Sequence, residues 1–158
     1  MVREVAAAVE ETNQMSARLM RAFAKVPEDR LHWSPSPTAR SPLAIVAHCA
    51  FSLGFIGELL AGTPYAAPTT AQADAEHLQR ERTITTRAQA LDLWNANLTR
   101  FIAQLEAMNE EDMAKMVLLP FGLGSAPMAY MVGVAAIHTR EHLAQLEYLQ
   151  TVYGDREW

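Results

Sequence analysis

Two histidines four residues apart, His138 and His142, stand in a run from Met128 to Tyr153 that otherwise reads as helix. On an α-helix, positions i and i+4 lie one above the other on the same face, so both imidazoles point into the same space. A third histidine, His48, sits in the middle of another apolar helical run. If those two helices pack together, three neutral nitrogen donors converge on one point. Three histidines and an open position describe a working metal centre rather than a closed structural one. A lone histidine on an apolar face is more often a hydrogen-bonded core residue. Two stacked on the inward face of one helix carry a desolvation cost unless something holds them. The pair with His48 therefore reads as a ligand set.

The surrounding residues narrow the chemistry. Zinc-protease helices place a glutamate directly after the first histidine as general base; Thr139 occupies that place here. Glu141 precedes His142 and points away from it, as a surface acid. Gln145, one turn past His142, suits either orienting a ligand or a helix–helix hydrogen bond. His32 and His77 fall in segments read as loops, where solvent exposure is the default and a fourth ligand from His77 is the minor reading. Cys49 reads as a buried, inert thiol. No general base stands out beside the three histidines.

Four helices must position these residues. The first spans 2–25, with Val5, Ala8, Val9, Thr12, Ser16, Leu19 and Phe23 on one face. Val26-Pro27 ends it, because the residue before proline is driven out of the α region. A proline-containing connector with Leu31-His32-Trp33-Ser34-Pro35 is expected to pack on the bundle. Ser41 caps the second helix with Pro42 at its first position, and Gly62 ends it. The stretch 62–85 is long and irregular, with room for a short helical turn near 71–80. Thr85 or Thr86 caps the third helix, about 87–108. Residues 113–124 read as extended or turn. Ser125 is expected to cap the fourth helix, which carries Met131, Ala135, His138, His142, Gln145 and Leu149 on one face until Gly154. Four apolar-faced helices imply an all-α four-helix bundle. The pattern alone leaves open which helices run up and which down.

Composition agrees. The 158 residues fit a single domain, and 50% are hydrophobic against 20% charged. A net charge of −5 argues against broad nucleic-acid binding. The single cysteine permits no internal disulfide, and the N-terminal pattern is not that of a signal peptide, so the expected compartment is the cytoplasm. Leu43 to Leu60 approaches the length of a membrane span, but His48 at its centre and Glu58 near its end favour a helix buried inside a bundle.

Taken together, the connector Leu31-His32-Trp33-Ser34-Pro35, the helix start Arg40-Ser41-Pro42-Leu43 followed by His48, and His138-xxx-His142 with Gln145 and Leu146 resemble the DinB-like (DinB/YfiT-like) superfamily of metal-binding four-helix bundles. The resemblance spans nearly the whole chain, residues 1–158. It implies an up-down-down-up order with a long crossover between the second and third helices. It assigns a divalent metal (zinc, nickel, iron or manganese) to His48, His138 and His142, and it implies a homodimer. Characterised relatives use low-molecular-weight thiols such as bacillithiol or mycothiol. Arg40 departs from the family, where an aromatic often precedes the helix cap. The expected function is a metal-dependent, thiol-dependent S-transferase acting on a small-molecule electrophile. A metal-dependent hydrolase and a non-catalytic metal-binding or dimerisation module are the alternatives.

Overall fold

The structure is a computed structural model that describes residues 2–155. Helix α1 spans Arg3–Lys25, α2 Pro42–Leu60, α3 Thr70–Glu81, α4 Arg87–Glu106, α5 Glu110–Met113, α6 Met128–Met131 and α7 Val134–Val152. The long helices α1, α2, α4 and α7 form an up-down-down-up four-helix bundle, in which α2 packs on α4 and α7, and α1 on α7 and α4.

Local chemistry sets the boundaries. Val26 is extended at φ −66°, ψ 120°, and stops α1 ahead of Pro27. Ser41 Oγ accepts from Ala44 N at 3.2 Å to open α2. Thr86 and Gln89 form a reciprocal capping box at the start of α4. The proline-containing connector packs down as expected: Leu31 is buried, Leu43 N donates to Leu31 O at 3.0 Å, and Trp33 meets Tyr153 edge-on at 5.7 Å.

Helix α2 is the central element, buried at twelve of its positions, including His48, Cys49 and Ser52. Among the described residues it alone is long and apolar enough to cross a membrane, but 61% of its apolar window is buried by the rest of the chain. Gly54 and Gly57 allow α4 to lie close against it. A Cβ at Gly57 would sit 3.0 Å from Gln104 Oε1, and one at Gly54 would sit 3.2 Å from Asn97 Nδ2. The same two side chains bond across the gap, Asn97 Nδ2 to Ala50 O and Gln104 Nε2 to Gly57 O, each at 2.8 Å. Phe23, Trp94 and Phe101 are almost wholly buried in the core. Each contributes about 1.5–3 kcal/mol through removal from water.

Two expectations change. The fourth helix does not begin at Ser125. Ser125–Pro127 is a β-strand (β2) paired antiparallel with Met116–Leu118 (β1), and a break at Val132–Gly133 separates α6 from α7. Proline cannot donate to a ladder, but a strand of a two-stranded ribbon tolerates it. The stretch 62–85 is not mainly irregular either. Thr69 caps a three-turn helix, α3, through its side chain on Gln72 N.

Candidate metal centre

His48 comes from the middle of α2, His138 and His142 from successive turns of α7. Packing of α7 on α2 brings the three rings to centroid distances of 4.5 to 5.2 Å. One nitrogen from each lies within 4.8 Å of the other two. Metal–nitrogen bonds of about 2.0–2.1 Å put two ligands of one ion at most about 4.2 Å apart, so small side-chain rotations close the set. The three residues predicted from spacing are thus brought together.

A carboxylate that sequence reasoning missed orients the cluster. Glu81, the last residue of α3, is 3% exposed and accepts from His48 Nδ1 at 2.8 Å. Its other oxygen accepts from Arg40 Nε at 2.8 Å, and Arg40 also reaches Asp74 at 3.1 Å. Burial alone would raise the Glu81 pKa. The hydrogen bonds from His48 and Arg40 outweigh it and hold the carboxyl below its ordinary value. An ionised carboxylate only accepts, so His48 carries its proton on Nδ1 and presents an Nε2 lone pair. Gln145 does the same for His142, its Oε1 standing 2.8 Å from Nδ1. Arg40, where the family often has an aromatic, anchors the acid that orients His48.

All this favours neutral imidazoles. Burial, then the neighbouring His142 and His48, pushes the His138 pKa down to about 3. Burial and His48 lower that of His142 as well. Two depressed-pKa imidazoles on α7 beside His48, with hydrogen bonds bracing His48 and His142, are a donor set that fits a divalent ion.

His77, expected in a loop and exposed, is a further correction. It lies on α3, half-buried, with its ring 5.0 Å from that of His48. His48, His77 and Glu81 also meet the distance requirement for a shared ion. Both Glu81 oxygens and His48 Nδ1 are already hydrogen-bonded, however, and His77 keeps only its buried Nδ1 without a partner, its Nε2 being bonded to the Tyr65 hydroxyl at 3.0 Å. The set of His48, His138 and His142 is the freer one. His77 and Glu81 are four residues apart on α3, the same spacing that singles out His138 and His142, so a signal for them was present. His32 and Glu141 are exposed, and burial pushes the Cys49 thiol pKa up, which removes it as a nucleophile.

The cluster borders open space. A cavity of about 470 Å³ runs from His138 and Ser52 between α2, α3 and the β-ribbon, lined mostly by apolar side chains. On another side a second pocket carries Arg40, Gln145 and Tyr148.

Comparison with known proteins agrees with this geometry. Residues 11–146 match the DinB superfamily model. The fold is similar to that of YfiT from Bacillus subtilis, described as a probable metal-dependent hydrolase with an unusual four-helix bundle topology, at 17% identity over 98% of this chain and 91% of that one, TM-score 0.75. It is also similar to the DinB-like protein YjoA from Bacillus subtilis, at 16% identity over 96% and 94% of the two chains, TM-score 0.68. A mycothiol-dependent maleylpyruvate isomerase matches at 14% identity and TM-score 0.73, over 92% of this chain but only 63% of its own length. At these identities the likeness establishes the fold alone. No curated protein sequence matches significantly. With a family match covering most of its length and the bundle and histidine cluster in place, the chain belongs to the DinB superfamily.

Proposed function

We propose that this protein is a divalent-metal-dependent enzyme that holds its ion through His48, His138 and His142 and joins a low-molecular-weight thiol to a small electrophile. The observation that carries this reading is the convergence of three imidazoles at the edge of a substrate-sized cavity. A bound metal supplies Lewis acidity, which lowers the pKa of a coordinated thiol or water. The chain's own part is to orient the ring nitrogens, through Glu81 and Gln145, and to enclose the electrophile in apolar surface. The net reaction forms a sulfur–carbon bond, with the leaving group departing with its bonding pair and the thiol proton released.

Thiol transfer suits the site better than hydrolysis. Water attack ordinarily calls for a general base. Both carboxylates near the cluster, Glu81 and Asp74, are tied to Arg40. Thiolate chemistry needs no such base once the thiol is deprotonated.

The test is metal analysis of untagged protein, together with product formation from bacillithiol or mycothiol and 1-chloro-2,4-dinitrobenzene. His138→Ala is expected to lose metal and activity together. Full transfer activity in metal-stripped protein refutes the proposal. We further infer a homodimer, supported by exposed Met116, Leu118, Leu123 and Tyr130 on and beside the β-ribbon; light scattering that gives a monomer mass would remove that part.

A further inference from the structure

The chemistry of the cavity wall says what kind of molecule it accepts. Phe55, Ile56, Leu59, Leu119, Met131 and Val134 supply apolar carbon, and neither lysine nor arginine lines it. The one carboxylate on the wall, Asp74, pairs with Arg40 outside it. The Arg80 guanidinium stacks 4.6 Å over the Phe55 ring rather than contributing to the lining. In the metal-free protein an anionic group entering this space would shed its hydration with no lysine or arginine on the wall to replace it and a carboxylate nearby. A flat apolar group loses nothing of the kind and gains contact.

Aromatic rings shape the entrance. Phe121 meets Tyr65 at 5.6 Å and Tyr65 meets Phe55 at 5.8 Å, both edge-to-face. Phe121 pays for its position in backbone conformation. It is the one non-glycine residue at positive φ among those described, at φ 62°, ψ 24°, with Gly122 and Gly124 beside it. A left-handed conformation is unfavourable for a bulky side chain and persists where the surroundings hold it. Glycine would turn the chain here without strain, yet the position carries a ring that closes over the cavity.

We propose that this cavity selects an uncharged, planar, apolar substrate of about two fused rings, that its own wall, without a bound ion, disfavours carboxylates, and that Phe121 sets the preference. The substrate's fate rests on the metal-dependent reading above; its binding does not.

Fluorescence titration tests this on metal-stripped and zinc-loaded protein, with neutral N-phenyl-1-naphthylamine, its anionic relative 8-anilinonaphthalene-1-sulfonate, and maleate as competitor. The neutral probe is expected to bind one-to-one in both states and, in metal-stripped protein, at least tenfold tighter than the sulfonate and without displacement by millimolar maleate. Val134→Glu places a carboxylate on the cavity wall at the first residue of α7, where the helix dipole favours it. It should weaken the neutral probe at least tenfold while the protein still folds. Phe121→Gly should weaken it about fivefold with an unchanged or higher melting temperature, since the variant loses the ring and the strain together. The proposal is overturned if the neutral probe fails to bind, if the sulfonate or maleate binds the metal-stripped protein as well, or if both variants leave the affinity unchanged. Zinc failing to bind while the neutral probe behaves as described would sink the metal reading and uphold this one.

Discussion

Where α4 packs against α1 and α2, polar side chains act as cross-links. Trp94 Nε1 donates to Ser16 Oγ at 2.9 Å, and Asn97 and Gln104 donate to carbonyls of α2. Where α7 and α3 meet α2, the polar side chains face one another instead. His138 makes no hydrogen bond to another described residue, and one nitrogen from each of the three rings shares a common space, where His48 Nε2 has only a long contact of 3.5 Å with the Ser52 hydroxyl. The first region is built for stability. In the second, His77 Nδ1 is buried without a partner, at a cost of about 1–3 kcal/mol, and the three clustered imidazoles leave nitrogens available to a ligand. Polar atoms in a core are thus informative by what they leave undone.

Breaking the two regions should have opposite signatures. The largest effect is expected from Trp94→Ala, which removes a nearly fully buried ring and orphans Ser16. It should cost about 3–5 kcal/mol in urea unfolding without changing metal affinity. His138→Ala should do the reverse, abolishing metal binding while the metal-stripped protein keeps most of its stability.

Acid separates the regions next. The His138 pKa in the folded chain is about 3, below the ordinary value of 6.5, and those of His142 and His77 are also depressed, the latter to about 4. Below about pH 6.5 the unfolded chain therefore binds more protons than the native one. Stability is fully present above that pH and falls as pH drops toward the folded values. For metal-stripped protein the loss should reach a few kcal/mol at most, read as melting temperature at pH 7.5 and pH 5. His138→Ala should flatten that dependence, and Trp94→Ala should leave its slope intact.

The smallest effects sharpen the site itself. Glu81→Gln keeps an acceptor for His48 but removes the charge that Arg40 also uses. Zinc affinity measured by competition with a chelator should fall about 10–100-fold. Arg40→Gln acts one bond further away and should cost less than Glu81→Gln. An equal or larger loss would mean that Arg40 contacts the ion's own ligands rather than positioning Glu81.

Much of this was legible before any coordinates. His138 and His142 share a helix, so their spacing alone stacks them, and Ser41-Pro42, Val26-Pro27 and Thr86 mark helix ends by local rules. Glu81 was legible only in part. Its spacing from His77 was visible, but α3 is short, polar and weakly patterned, and nothing local tells which core it faces. The start at Ser125 misled because serine caps helices in isolation, whereas pairing with Met116–Leu118 holds that segment extended.

What the chain determined by itself is therefore the set of amphipathic helices, their caps and the two imidazoles on α7, because those depend on residues within one or two turns of each other. The family resemblance added the order of the helices. Tertiary structure alone decided that His48 meets the pair, that Glu81 and Arg40 brace it from a distant helix and connector, and that Phe121 and Tyr65 line a mostly apolar cavity beside it. Each of those depends on contacts between segments dozens of residues apart, which packing rather than periodicity selects.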